Sequence, residues 1–320
     1  MLAATAVRFS DEDPLSGLEV GERPDATPPD RGWEIVRVRA TSLNHHDLWS
    51  LRGVGLREDR LPMVLGCDAA GVTAEGREVV VHAVISDEEG IEGPSQRFSL
   101  FSEEYPGTHA ELVAAPRRNL LDKPAELSFA EAACLPTAWL TAYRMLFVRG
   151  DLRPGQRVLV QGAGGGVSTA AIMLARAAGL RVYATSRSEE KRKRAAELGA
   201  HATFEAGGRL PERVDGVMET VGEATWGHSL RSVEAGGVIV CAGSTSGPNP
   251  PAELQRVFYR QVRIVGSTMG TRGELGDLIR MMRDTGVRPV IDATYPLSEA
   301  KAAFQQMHRG ELFGKIVLEP

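Results

Sequence analysis

The stretch Gln156-Arg157-Val158-Leu159-Val160-Gln161-Gly162-Ala163-Gly164-Gly165-Gly166-Val167-Ser168 constrains this chain more than any other. A short apolar run, Val158 to Val160, fits a buried strand and breaks into glycine. The following segment, Val167 to Ala178, is rich in Ala, Leu, Ile and Met and reads as a helix. A strand, a glycine turn and a helix in this order present bare amides to a diphosphate, and no Cβ blocks its approach. The tight turn is either Gly162-Ala163-Gly164 or Ala163-Gly164-Gly165, and Ser168 stands where a third glycine is usual. Residues Ala163, Gly164, Gly165, Gly166 and Val167 are therefore the expected phosphate-binding set.

Arg181 to Thr185 is a second strand about 20 residues on, where a ribose-reading residue is expected. An NAD-specific protein places Asp or Glu there. This chain has Ser186-Arg187-Ser188, with Lys191 one turn into the next helix. Hydroxyls and a guanidinium suit a 2′-phosphate that a carboxylate would repel, so NADP(H) is favoured over NAD(H). In the basic run, Arg192, Lys193 and Arg194 read as a solvated helix face.

The length of 320 residues accommodates two domains. The net charge of −5 gives no basic footprint for nucleic acid. Three scattered cysteines, Cys67, Cys134 and Cys241, form no disulfide framework and suit a reducing cytoplasm. With no apolar run of about 18 residues and no leader-like N-terminus, a soluble cytoplasmic protein without a membrane partner is expected.

Strands are expected at Thr5 to Phe9, Glu34 to Ala40 and Glu78 to Val84, with Gly107 to Val113 resuming a sheet. Ser86 to Tyr105 is acidic and poorly periodic and reads as a surface loop. Ser128-Phe129-Ala130-Glu131 is a capping-box pattern opening a helical region from Ala132 to Leu146. After the glycine turn, strand and helix alternate through Ala202–Phe204, Val214–Thr220, Val238–Ala242 and Arg263–Gly266. That alternation implies a doubly wound parallel sheet. The tail does not fit it and is expected to return to the first domain.

Taken together, Ser42–Trp49, Leu61–Val72, Gly107–Val113, Ala133–Tyr143, Val158–Ser168, Val182–Ala200, Val217–Gly222, Gly236–Gly243, Arg263–Thr271 and Phe313–Leu318 resemble the medium-chain dehydrogenase/reductase superfamily, nearest its zinc-free quinone oxidoreductase-like branch. The resemblance implies an α/β chain: a mostly β, GroES-like catalytic domain (1–125 and 268–320) and a Rossmann NADP(H)-binding domain (126–267), with the active site in the cleft between them. It also implies reduction of quinones or α,β-unsaturated carbonyls.

The zinc ligands of metal-dependent relatives correspond to Asn44, Cys67 and Thr137, which leaves one soft ligand, so no metal is expected. His45 and His46, read as part of an extended segment, would point opposite ways. By resemblance, Asn44 lies beside the nicotinamide ribose or ring, Thr137 near its nicotinamide half, and Cys241, Ala242, Gly243 and Ser244 with Ser267, Thr268 and Met269 at the ring's other edge. Phe313, Gly314 and Lys315 come from the same signature, Gly314 and Lys315 closing over the diphosphate; an exposed lysine opening a strand is the alternative for Lys315. Asp47 pairs with His46 as a proton relay or a structural hydrogen bond, and Cys67 is either a cleft thiol or a small buried hydrophobe. Asn44, Asp47 and Cys67 are thus the candidate catalytic residues.

Without a metal, the acceptor is one whose reduction needs little Lewis-acid help, which fits a small-molecule quinone or enone. An alcohol or aldehyde dehydrogenase, or a dinucleotide-binding protein without useful catalysis, are the alternatives. Arg263–Gly266 is expected at an open sheet edge, and two-fold pairing there would give a homodimer.

Overall fold

The structure, a computed structural model, describes residues 1–86 and 98–320. The chain divides into two compact units, Met1–Ala138 with Gly270–Pro320, and Trp139–Met269. The sequence pattern put the first boundary at 125/126. Residues up to Ala138 instead belong with the first unit, because the helix Phe129–Ala133 packs on the strands Trp33–Ser42 and Asp68–Thr73.

The first unit is built on a seven-stranded sheet centred on Trp33–Ser42. That strand alternates buried Val36, Val38 and Ala40 with exposed Arg37 and Arg39, the period of two of a half-buried strand. Asp68–Thr73 and Leu112–Pro116 pair with it antiparallel, and so does Lys315–Glu319, which brings the tail back to this unit. A three-stranded sheet joins Leu2–Ala6, Leu18–Glu22 and Met63–Val64, so the first strand lies a few residues earlier than expected. The expected loop from Ser86 is in part a hairpin, with Val84–Ser86 and Phe98–Leu100 paired antiparallel. Residues 87–97 of that expectation lie outside the described residues.

The helix expected over Ala132 to Leu146 opens as predicted: Ser128 N donates to Glu131 Oε2 at 2.8 Å and Glu131 N to Ser128 Oγ at 3.2 Å. Pro136 has no N–H for an i−4 carbonyl, and the helix passes through a π turn, Leu135–Trp139, before Leu140–Tyr143 and a second π turn, Arg144–Arg149.

The second unit is a six-stranded, all-parallel sheet. Its spatial order is Ala202–Phe204, Arg181–Thr185, Arg157–Val160, Val214–Glu219, Val233–Cys241, Arg263–Gly266. Counted along the chain this is 3-2-1-4-5-6, the doubly wound order. Leu159, Tyr183, Val217, Leu230 and Ile239 form its core. Arg263–Gly266 lies at the sheet edge, as the alternation predicts. Among the described residues no helix is long and apolar enough to cross a membrane.

Candidate active site

In the first unit the strand Trp33–Ser42 delivers the chain to Asn44, which caps the helix His45–Leu51 with extended backbone (φ −131°, ψ 157°). Asn44 N donates to Asp47 Oδ2 at 2.8 Å. His45 and His46 therefore lie on a helix, not an extended segment. Consecutive residues still diverge: His45 is exposed, while the His46 ring lies between Cys67 Sγ (3.4 Å) and Glu103 Oε1 (3.1 Å).

Asn44 is fully committed within the fold. Its Nδ2 donates to Asp68 Oδ2 at 2.8 Å and to Ser42 O at 3.3 Å. Its Oδ1 accepts from Lys315 Nζ at 2.6 Å, and the same ammonium donates to Leu43 O at 2.6 Å and lies 3.4 Å from Asp68 Oδ2. Ser42 Oγ adds a bond to Asp68 Oδ2 at 2.7 Å. Lys315 is neither an exposed lysine nor free to swing toward a diphosphate: its side chain is 3% exposed and its charge is held by Asp68. A buried ammonium requires such a partner. A Cβ on Gly314, at φ 116°, would lie 2.3 Å from Val290 O, so only glycine fits there, while Phe313 is buried.

Asp47 does not pair with His46; its ionic partner is His109, with Nε2 3.3 Å from Oδ2 and both side chains fully buried. Two glycines allow this approach. A Cβ on Gly66 would come within 2.6 Å of His109 Nδ1, and one on Gly107 within 2.3 Å of Leu65 O. Thr41 and Thr108 both donate to Asp68 O, at 2.5 and 2.7 Å. Thr41 Oγ1 is then an acceptor for His109 Nδ1–H at 2.8 Å. Burial pushes the Asp47 carboxyl up, but His109, His46 and the Asn44 N–H together outweigh it, and the group titrates below the usual carboxylate range.

Cys67 is 1% exposed and its Sγ–H donates to Phe101 O at 3.2 Å. Burial pushes the thiol up, so it stays protonated at neutral pH. This is the small buried residue of the two readings, not an open thiol. At His46, burial disfavours the imidazolium, while the contacts of the ring with Glu103 Oε1 and Cys67 Sγ favour it, and the ring is raised above its ordinary value.

Zinc does not fit this set. Asn44 already faces an ammonium, which opposes a second cation; Thr137, in the π turn, offers only a neutral hydroxyl; Cys67 is left as the one soft ligand. Catalytic zinc takes three nitrogen, thiolate or carboxylate ligands. Among the described residues no group of three or more His, Cys, Asp or Glu is arranged to hold a metal ion.

In the second unit the strand Arg157–Val160 ends in a turn whose left-handed glycines are Gly162 (φ 70°) and Gly164 (φ 135°), which selects Gly162-Ala163-Gly164 as the tight turn. The helix Gly166–Ala177 follows, with Gly165 as an N-cap that offers no side chain. Ser168, in the third-glycine position, turns back to accept from Gly164 N at 3.1 Å. A helix of this length with an uncapped N-terminus presents amides and a positive dipole end to an anion. The turn therefore fits a dinucleotide diphosphate.

Thr185 ends the second strand, and no acidic residue stands at 186–188: Ser186 is buried and Arg187 exposed. The Lys191 chain crosses the turn, its Cδ 2.8 Å from where a Gly164 Cβ would lie. Arg192 is not solvated as expected; its Nη1 donates to Ser186 O at 2.8 Å and shapes this corner. Cys241, Ala242, Gly243 and Ser244 lie at the carboxyl end of their strand, with Ala242 N donating to Glu219 O and Ser267 N to Cys241 O. Ser267 Oγ is buried with no hydrogen-bond partner among the described residues, Thr268 is exposed, and Met269 holds a left-handed φ of 47°. The structure thus gathers the candidates of 163–167, 186–191, 241–244 and 267–269 in this unit, and Thr137 with 313–315 in the other. Asp68, His109, Gln161 and Glu219 carry much of the polar architecture and were given no role from sequence. Asp68 follows Gly66-Cys67 directly, and that adjacency was its one signal.

The sequence pattern described as zinc-binding dehydrogenase matches residues 166–284, and that described as alcohol dehydrogenase GroES-like domain matches residues 30–125. A zinc-type alcohol dehydrogenase-like protein of Schizosaccharomyces pombe is 30% identical, covering 98% of this chain and 99% of its own. The crystal structure of an NAD-dependent alcohol dehydrogenase superposes with a TM-score of 0.91 at 33% identity, covering all of both chains. A 2-octenoyl-CoA carboxylase reductase, solved with NADP and 2-octenoyl-CoA, gives 0.89 at 25% identity over 99% of this chain and 87% of its own. Parallel sheet, strand-rich partner unit and these matches define an oxidoreductase architecture. The chain belongs to the medium-chain dehydrogenase/reductase superfamily, with a Rossmann-type unit and a GroES-like unit.

Proposed function

We propose that the protein is an NADPH-dependent oxidoreductase that reduces a quinone or an α,β-unsaturated carbonyl without catalytic zinc. The observation that carries this reading is the Lys315 ammonium on Asn44 Oδ1, a built-in cation where a metal-dependent relative would need a ligand. A saturated alcohol needs its hydroxyl proton removed by a Lewis acid or strong base. A conjugated acceptor disperses the charge itself and asks mainly for orientation and a dry site.

The residues that would hold the cofactor are the 163–167 turn for the diphosphate, Ser186, Arg187 and Lys191 for the 2′-phosphate, and 241–244 with 267–269 for the nicotinamide. When bound, the reduced nicotinamide supplies a hydride. Ser186, Arg187 and Lys191 offer hydroxyl and cationic donors, which favours NADPH. The solved relative with NADP and 2-octenoyl-CoA supports both halves of the proposal. The NAD-dependent alcohol dehydrogenase favours a second reading, alcohol oxidation.

The deciding test measures NADPH oxidation against a panel of quinones and enones, NADP⁺ reduction against alcohols, and metal content by mass spectrometry. Turnover on the first panel by metal-free protein is expected; stoichiometric zinc together with alcohol-dependent turnover would overturn the reading.

We further propose a homodimer through two-fold pairing of the edge strand Arg263–Gly266. Ile264 on that strand is 45% exposed, and Leu254, Phe258 and Tyr259 on the preceding helix are 70%, 69% and 82% exposed. An unpaired edge beside such apolar surface is a liability that association removes. A monomer by light scattering at micromolar concentration would contradict it.

A further inference from the structure

Beneath the glycine turn of the second unit runs a buried polar circuit that links the carboxyl ends of three adjacent strands. Glu219, fully buried at the end of Val214–Glu219, accepts from Val221 N (2.8 Å), Gly222 N (3.1 Å), Thr225 Oγ1 (2.8 Å) and Ser229 Oγ (2.6 Å). Because an ionised carboxylate only accepts, it fixes the direction of every bond behind it. Ser229 spends its proton on Glu219 and must accept from Gln161 Nε2, at 2.9 Å. The second Nε2 hydrogen goes to His228 Nδ1, also at 2.9 Å. Gln161 Oε1 accepts from Thr185 Oγ1 at 2.6 Å, and Thr185 Oγ1 in turn accepts from Gly162 N at 3.4 Å.

His228 closes the circuit. Its Nε2 lies 2.9 Å from Gly208 O, which can only accept, so Nε2 carries the proton and Nδ1 is the bare acceptor. The ring is the neutral Nε2–H tautomer. A second proton on Nδ1 would face the Gln161 amino group. Turning the Gln161 amide over would repair that contact but set its amino group against the Thr185 hydroxyl and its oxygen against Ser229, whose proton belongs to Glu219. No arrangement keeps all the bonds. Glu219 favours a cation on the ring, Arg231 on the same helix opposes one, and burial is the largest influence, lowering the ring's affinity for a proton.

The turn is pressed onto this circuit. A Cβ on Gly162 would lie 2.7 Å from Val221 Cγ2, and Val221 N is one of the groups that Glu219 holds. Ala163 N donates to Thr185 O at 2.7 Å. Gln161, the residue immediately before Gly162, is thus the member that joins the phosphate-binding turn to the rest.

We propose that Gln161 and His228 are positioning residues for the dinucleotide site, and that protonation of His228 releases Gln161 and weakens dinucleotide binding. The inference rests on the reading of Gly162 to Val167 as the diphosphate-binding turn. The affinity of a site whose competent form is partly populated falls in proportion to that population.

The test is NADPH binding, followed by the fluorescence of its reduced ring, to the wild-type protein, His228→Gln, Gln161→Leu and, as a control, the exposed His308→Gln. The quantity read is the ratio of Kd at the lowest pH at which the wild type stays folded to Kd at about pH 7.5, because a buried ring takes up its proton below the ordinary histidine range. The ionisation of the ligand's own phosphate is common to all four proteins and cancels. The wild type and His308→Gln share one ratio, and that of His228→Gln is about fivefold smaller. Gln161→Leu binds more weakly at both values with a flattened ratio, while kcat at saturating NADPH changes less than Kd. Circular dichroism at each pH confirms that the proteins remain folded. Equal ratios in wild type and His228→Gln would overturn the inference while leaving the dinucleotide reading intact. Absence of dinucleotide binding by folded wild-type protein would remove both.

Discussion

Lys315 Nζ and Asn44 Oδ1 lie 2.6 Å apart, although 271 residues separate them in the chain. The pair is buried, and Asp68 balances its charge. Removing one member of a buried ion pair leaves the other unpaired, at a cost of about 3–5 kcal/mol. Lys315→Met is therefore expected to lower the stability of the first unit by about that much, and Lys315→Met with Asp68→Asn to recover part of it. Chemical denaturation of the single and double variants checks this; an additive double variant would contradict the coupling.

The corner formed by Ser186, Arg187 and Lys191 sets cofactor choice in the proposed function. A charge-assisted hydrogen bond contributes about 1.5–3 kcal/mol. Arg187→Ala is then expected to weaken NADPH binding about tenfold or more while changing NADH binding little. Titration calorimetry with both nucleotides reads the difference. Equal losses for the two would show that Arg187 does not read the 2′-phosphate, and no loss for either would assign it to the solvent.

Gly164 stands at φ 135°, where an L side chain is strained, and Lys191 occupies the space a Cβ would take. Such strain costs of order 1–3 kcal/mol. Gly164→Ala is expected to lower the melting temperature and weaken dinucleotide binding together. Unchanged affinity with full stability would show that the turn tolerates a side chain and does not approach the phosphates closely.

His82 is buried, its Nε2–H donates to Gly270 O at 2.9 Å, and burial lowers its pKa to about 4. The folded value lies below the unfolded one of about 6.5, so the folded state favours the neutral ring. Stability is complete above about pH 6.5 and declines as pH falls toward 4, by up to about 3 kcal/mol for this one group. His82→Gln is expected to flatten the acid limb of the stability curve between those values. Denaturant melts at several pH values test it, and parallel curves for both proteins would refute the assignment.

Much of the parallel sheet could be read directly from the chain. Arg181–Thr185, Ala202–Phe204 and Arg263–Gly266 fall at the predicted positions because each is a short apolar run cut off by turn residues. The helix His45–Leu51 escaped because seven residues make too few turns for a period to show. Its signal was the cap instead, Asn44 followed three residues later by Asp47. The polar centres were hidden for a different reason. Asp47 with His109, Asn44 with Lys315 and Gln161 with His228 are distant pairs created by sheet topology, and no local pattern announces them. Glycine turns were legible as turns, whereas Gly66 and Gly107 gave no hint that they let two segments cross beneath a histidine.

Lys315 enters on the last strand of the fold, so its arrival has a schedule. A ribosome building this chain completes the parallel sheet and the glycine turn long before it reaches residue 315. Until then the Asp68 carboxylate beside Asn44 lacks its compensating cation. The nascent first unit therefore cannot settle its polar centre before residue 315 has been made, and a transcript cut short ahead of it would yield a finished nucleotide fold beside an unfinished one.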